Sequence, residues 1–222
     1  MLLAFDTSSA AVTVALADPI SGATIASSST VDALRHGELL APAIAEALET
    51  AGCRPGDLTK IAVGVGPGPF TGLRVGLVTA RTMAEVLGIE VAGVCSLDIL
   101  ARQSSLSLPL AVATDARRKE IYWALYDGPA ADGSRRRLEG PAVDRPAEVA
   151  QMLSGVPVIG RGAVLYAEAL ALESSDVIEY PSAEVLALGV ATGTLPVVAP
   201  DPLYLRRPDV TMSGGPKSVL PK

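Results

Sequence analysis

Histidine occurs once in this chain of 222 residues, as His36, and cysteine only twice, as Cys53 and Cys95. A single histidine excludes any metal site built on a histidine pair from one chain. It also leaves only His36 for a Ser-His-Asp triad, and nothing near it looks like a nucleophile turn. The cysteines fall in no metal or redox spacing and read as free thiols of a reducing compartment. Aromatic residues make up 4%, so the core has to be built from Ala, Val, Leu and Ile, which suits the close helix–sheet packing of an α/β protein. Positive charge is short as well: 18 Lys and Arg stand against 24 Asp and Glu, a net charge of −6. The basic clusters Arg117-Arg118-Lys119, Arg135-Arg136-Arg137 and Arg206-Arg207 are brief and read as solvated loop residues. A chain that grips RNA unaided carries a broader basic face. Asp6 interrupts the apolar N-terminus at once, and the uncharged stretch from Val185 to Pro200 is broken by glycines and Pro196. No signal peptide and no membrane span is expected, and the protein reads as cytoplasmic.

What the chain has in abundance is glycine at one place. Five glycines and two prolines lie between Gly64 and Gly76, in G-V-G-P-G-P-F-T-G-L-R-V-G. An apolar strand, Ile61-Ala62-Val63, leads in, and a helical pattern from Thr71 to Leu87 leads out. Glycine frees the backbone and proline fixes φ beside it, so the run predicts a rigid strand-to-helix turn. It matches neither G-x-x-x-x-G-K-S/T nor G-x-G-x-x-G. Three uses stay open: a turn that packs helix onto sheet, a direct phosphate site at a helix N-terminus, and a turn that aims its helix at a partner. Gly66, Gly68, Gly72 and Gly76 are its structural residues.

Around this turn the pattern predicts strands at Leu2–Asp6, Val12–Leu16, Thr24–Ser28, Lys60–Val65 and Glu90–Val94, with helices from Glu38 to Ala51 and Ser96 to Arg102. Later come short helices at Pro146–Leu153 and Val164–Leu170, strands at Pro157–Gly160 and Val177–Tyr180, and a final helix at Ala183–Thr192. The tail from Asp209 has no period and reads as mobile.

Residues 111–127 echo residues 2–18 at an offset of 109. Ala4, Asp6, Ala15, Leu16 and Asp18 meet identical residues, and Val12 meets Ile121. The echo predicts a duplicated α/β chain, with subdomains at 1–106 and 107–208 and a tail at 209–222. Two facing halves, each with an aspartate ending its first strand, describe the actin-like (ASKHA, ribonuclease H-like) fold with mixed sheets flanked by helices. In that plan the aspartates face a nucleotide–metal complex. Here Asp6 is followed by Thr7 and Ser8, with no glycine or lysine, and Asp115 by Ala116-Arg117-Arg118. The cleft of Asp6, Thr7, Ser8 and Asp115 therefore reads as degenerate. The competing reading is an autonomous ATPase or small-molecule kinase that uses Asp6 and Asp115.

Two helices carry more apolar surface than one sheet contact needs. In the first, Leu40, Ile44, Ala47 and Leu48 form one face, with Leu39, Ala43 and Ala45 widening it. Leu77 and Ala80 lie on one stripe of the second, Val75 and Thr82 on another, with Arg74 and Arg81 between. The surplus is either buried inside the fold or forms a helix–helix interface with another subunit.

At this point the chain resembles the TsaB (YeaZ) family, over nearly its whole length. The carriers are Leu2–Ser8, His36 and Pro42, Gly93–Leu97, Asp115–Arg118 with Tyr122, Pro202–Arg206, and above all Gly66-Pro67-Gly68-Pro69-Phe70-Thr71-Gly72-Leu73-Arg74-Val75-Gly76. Pro69 departs from the family's usual serine. The resemblance implies a non-catalytic subunit in making threonylcarbamoyladenosine in tRNA, with no catalytic residue, metal or cofactor of its own. It implies pairing with a TsaD-like catalytic subunit through His36, Leu39, Leu40, Ala43, Ala47, Thr71, Arg74, Val75, Leu77, Val78, Arg81 and Thr82. It also implies work with a TsaE-like ATPase, ATP and Mg²⁺ used by the complex with room for a nucleotide at the subunit joint, tRNA bound mainly through the complex, and a homodimer in isolation. The related TsaD family carries a histidine pair for metal, which this chain lacks. A metallopeptidase reading fails on the same count.

Overall fold

The computed structural model describes residues 1–172 and 178–206. Strand β1 (Leu2–Asp6) is wholly buried. It pairs antiparallel with β2 (Ala11–Ala17), which pairs antiparallel with the edge strand β3 (Thr24–Val31). On its other side β1 pairs parallel with β4 (Lys60–Gly64), and β4 with β5 (Glu90–Val94), giving the order β3-β2-β1-β4-β5. Alternation along β1 sends Leu3 and Phe5 to one face and Leu2 and Ala4 to the other. The first face packs on α1 (His36–Thr50) and α2 (Phe70–Leu87) through Leu40, Ile44, Leu73, Leu77 and Ala80. The second meets Ile99 of α3 (Ser96–Gln103) and Leu186 of α6 (Ala183–Thr192). Gly88, left-handed at φ 67°, ends α2.

The second sheet has the order β8-β7-β6-β9, from β6 (Leu110–Asp115), β7 (Ile121–Tyr126), β8 (Arg137–Asp144) and β9 (Val158–Ile159). Again the first strand pairs antiparallel with the second and parallel with the last. The repeated strand order is the two-sheet, actin-like plan expected from the echo. The constant offset does not hold, however. Asp6 stands opposite Thr13, and Asp115 opposite Ile121, so the second hairpin is one residue shorter. Laying Asp6 on Asp115 puts Thr13, not Val12, on Ile121.

Helix α3 is wedged between the sheets: Ile99 faces the first, while Leu97 and Leu100 pack on Leu110, Val112 and Tyr126 of the second. Helix α6, expected within a subdomain at 107–208, lies on the N-terminal sheet against Leu2 and Ala4. Strand β8, which contains Gly140 and Pro141, was not among the expected strands. It is tolerated at a sheet edge beside a register shift in its pairing with β7. The helices expected at Pro146–Leu153 and Val164–Leu170 appear as α4 (Pro146–Val149) and α5 (Arg161–Leu165). Residues 178–180 are not a strand, although the carbonyls of Ile178 and Glu179 accept from the Gly160 and Arg161 amides; Val177 and the tail from Asp209 lie outside the described residues. No helix among the described residues is long and apolar enough to cross a membrane.

Candidate functional site at the lobe cleft and helix α2

The glycine run presses against the β1–β2 turn. A Cβ on Gly64 would overlap the Asp6 carboxylate, one on Gly68 the Ser8 carbonyl, and one on Gly76 the Thr7 hydroxyl; on Gly72 it would stand 2.6 Å from the Thr7 carbonyl oxygen. The space beside these four glycines is filled by the chain's own residues. Gly66, at φ 91°, needs glycine for its backbone angle as well. Of the uses left open by sequence, packing of helix onto sheet is the one these contacts support.

Thr7, buried, donates from Oγ1 to the Gly72 carbonyl (2.8 Å) and accepts from the Gly76 amide (3.1 Å), which pins α2 to the end of β1. His36, also buried, is bonded through Nε2 to the Ser9 carbonyl at 2.7 Å. Asp6 is 1% exposed, and both its oxygens are taken: Oδ1 accepts from the Ser8 amide and hydroxyl at 2.8 Å, and Oδ2 from the Ser96 hydroxyl at 2.5 Å. Burial raises its pKa above the ordinary 3.8, against the lowering effect of these hydrogen bonds. A carboxylate so enclosed is engaged by the chain's own Ser8 and Ser96.

Asp115 is placed differently. It lines a cavity of about 290 Å³ between the lobes, with Ser8, Ser96, Arg117 and Arg161, and its Oδ1 accepts from the Arg117 amide (3.0 Å) and the Tyr166 hydroxyl (3.2 Å). Asp6 is not among the residues lining this cavity, although Ser8 and Ser96, which bond it, are. Among the described residues no group of three His, Cys, Asp or Glu is placed to hold a metal ion.

The residues expected to meet a partner divide by burial. Leu40, Ala47 and Leu77 belong to the chain's own core and have no surface to offer; this part of the expectation is corrected, because their stripe is the one that faces β1 and β2. Leu39, Ala43 and Val75 are half-buried. Thr71, Arg74, Val78, Arg81 and Thr82 are exposed along the outer side of α2, and Val78 is 60% and Val86 79% accessible.

Two features escaped the sequence reading. The segment 198–204 straps α2: Val198 bridges Gly93, Arg81 donates to the Pro200 carbonyl (3.0 Å) and pairs with Asp201, and Tyr204 stacks on Phe70 at 4.9 Å and accepts from Arg74. Arg74 in turn lies 3.8 Å over the Phe70 ring. The match of Pro202–Arg206 to a family pattern was the signal for this strap. The other is a buried cluster that ties α3 to the second sheet, in which the Asp98 carboxylate accepts from Tyr126 Oη (2.7 Å) and from two nitrogens of Arg137. Nothing in the spacing of these three residues announced it.

Residues 29–210 match the model of a family described as TsaD, tRNA N6-adenosine threonylcarbamoyltransferase. An uncharacterised protein of Mycobacterium tuberculosis is 40% identical over 212 residues, 94% of this chain and 92% of that one. The Bacillus subtilis tRNA threonylcarbamoyladenosine biosynthesis protein TsaB is 38% identical over 95 residues, 41% of this chain and 40% of its own. The solved structure of YeaZ from Pseudomonas aeruginosa superposes with a TM-score of 0.75 at 30% identity, covering 92% of this chain and 99% of that one.

Proposed function

The chain belongs to the TsaB (YeaZ) family, and from that premise we propose that it is the non-catalytic subunit of a tRNA threonylcarbamoyladenosine machinery. It pairs with a TsaD-like catalytic subunit and works with a TsaE-like ATPase. The assembly transfers a threonylcarbamoyl group from its adenylate to N6 of the adenosine beside the anticodon, and ATP and Mg²⁺ are used by the complex. The observation that carries this reading is the outer side of α2, where Val78 and Val86 stand exposed between Arg74, Arg81 and Thr82. Exposed valines on a helix whose opposite side already fills the core are surface for another helix. In isolation the same surface pairs two copies of the chain.

Enclosure of Asp6 supports a supporting rather than a catalytic part, and disfavours an autonomous ATPase or kinase. The one histidine is held by Ser9 in the core, so the chain does not offer the histidine pair of the catalytic family. The test is threonylcarbamoyl transfer to tRNA by the TsaD-like and TsaE-like subunits of the same cell, with and without this chain, and by this chain alone. Transfer only when all three are present is the expected result. Transfer indifferent to this chain would overturn the reading.

A further inference from the structure

The hairpin tip between β6 and β7 holds Arg117, Arg118 and Lys119 at φ 63°, 55° and 62°. Three successive side-chain-bearing residues in the left-handed region are rare, and glycine would relax each of them. The chain keeps two arginines and a lysine there instead. The tip is braced by Ala116 N–H to the Glu120 carbonyl and Glu120 N–H to the Arg117 carbonyl, both at 3.0 Å.

Beside the tip lies a groove of about 460 Å³ lined by Arg117, Arg118, Arg206, Phe70, Tyr122 and Tyr204, with small and apolar residues between them. No acidic residue lines it among the described residues, in a chain whose net charge is −6. Glu120 lies behind it, paired with Arg206. The start of α2 adjoins the groove at Phe70. Its cap is Pro69, with no side-chain cap bond and no acidic residue in the first turn, so the positive end of an 18-residue helix is left uncompensated next to Arg117. Basic side chains, a helix N-terminus and an exposed aromatic ring in one concavity are the parts of a single-stranded nucleic-acid contact, in which rings stack on bases and cations hold phosphates.

We infer that this groove is a direct RNA contact that takes an unpaired nucleotide of the tRNA, its base against Tyr204 and its phosphate against Arg117. The inference rests on the tRNA-modifying role proposed above. The short basic cluster that reads as solvated in the sequence thus becomes a local grip, while the rest of the acidic surface leaves the bulk of tRNA binding to the complex.

The test uses the full chain in two settings, with a labelled single-stranded RNA heptamer alone and with tRNA in complex with the TsaD-like subunit. Arg117→Glu is compared with Arg136→Glu, an equal charge change on an exposed arginine paired with Asp127. Expected is about tenfold weaker RNA binding for Arg117→Glu in both settings, a salt dependence shallower by about one charge, and near-native affinity for Arg136→Glu. Tyr204→Ala weakens binding about fivefold and Tyr204→Phe does not, since the ring rather than the hydroxyl stacks. Co-elution with the TsaD-like subunit and thermal unfolding report assembly and folding separately. If the wild-type chain does not co-elute, the subunit reading fails and the heptamer alone judges the groove. Equal RNA affinity of Arg117→Glu and wild type, equal losses for both arginine variants, or displacement of the RNA by micromolar free ATP would overturn the inference.

Discussion

The Thr7 hydroxyl occupies the place that a Cβ on Gly76 would take. It accepts the Gly76 amide at 3.1 Å and donates to the Gly72 carbonyl at 2.8 Å. One side chain just past the first strand thereby ties α2 to the sheet. An alanine at 76 gains about 1 kcal/mol of helix propensity. It forces the helix outward, with an overpacking cost of about 1–3 kcal/mol and the loss of two hydrogen bonds at about 1 kcal/mol each. Gly76→Ala is expected to destabilise the protein by about 2–4 kcal/mol net, read from the urea midpoint, whereas Gly56→Ala, where a Cβ meets open space, leaves it nearly unchanged.

Asp6 gives a pH dependence whose sign follows from its raised pKa. The folded state holds its proton more tightly than the unfolded chain. This group's contribution to stability is therefore most favourable below about 3.8 and is lost as pH rises through the higher folded value. Asp6→Asn removes that slope and keeps an acceptor for the Ser8 amide. The wild-type-minus-variant difference in unfolding free energy should fall with rising pH and then level off. Asp6→Ala, which strands the donors of Ser8 and Ser96, should cost about 2–3 kcal/mol. If Asp6→Asn abolishes transfer by the assembled complex while leaving stability unchanged, Asp6 has a role beyond packing.

The two-sheet plan was legible because strand pattern survives in any single sequence: alternation along β1, the turn after Asp6 and its repetition near Asp115 all follow from local chemistry. The glycine run was legible as a turn but not as to purpose, since what a missing Cβ makes room for lies far off in the sequence, at Thr7 and Ser8. Helix α6 was visible and its sheet was not; its apolar residues fit either half. The stripe of Leu40, Ala47 and Leu77 and the stripe of Val78 and Val86 are alike in composition, and only packing tells the core side from the outer side. The left-handed tip at Arg117–Lys119 left no sign at all, because the residues that adopt it are ones that usually avoid it.

The Asp98–Arg137 pair ties α3 to β8 of the second sheet. Asp98 is 6% exposed, and the Arg137 guanidinium reaches it at 2.5 Å from the second sheet. Arg137→Met leaves a buried carboxylate with only the Tyr126 hydroxyl and should cost about 3–4 kcal/mol. Asp98→Asn combined with Arg137→Met should recover a large part of that loss. A double-mutant cycle by chemical denaturation measures the coupling; additive losses would mean that the pair is not what joins α3 to β8.

Cys95 sits against the same cluster. Burial, with the Asp98 carboxylate adding to it, pushes its thiol up to about 12, so almost no thiolate exists at neutral pH. Native protein treated with iodoacetamide should carry its label on the half-buried Cys53 and none on Cys95, as read by peptide mass spectrometry. Early labelling of Cys95 would mean that α3 lifts off the second sheet in the native state.

Neighbouring residues of α2 separate folding from partnership. Leu77 is 3% exposed and packs among Phe5, Leu40 and Leu73, whereas Val78 is 60% exposed. A carboxylate at 77 must be buried in a site with no donor for it, at a cost large enough to unfold a chain of ordinary stability. A carboxylate at 78 meets water, and it costs stability only in the few tenths of a kcal/mol expected of a surface change. If the outer side of α2 is the subunit interface, Val78→Glu buries that charge only on association and should weaken binding to the TsaD-like subunit at least tenfold, by calorimetry or gel filtration, with its melting curve unmoved. Leu77→Glu should lose folding and binding together. A Val78→Glu chain that folds and assembles like wild type would move the interface off α2, and would leave Val78 and Val86 as exposed valines with no partner.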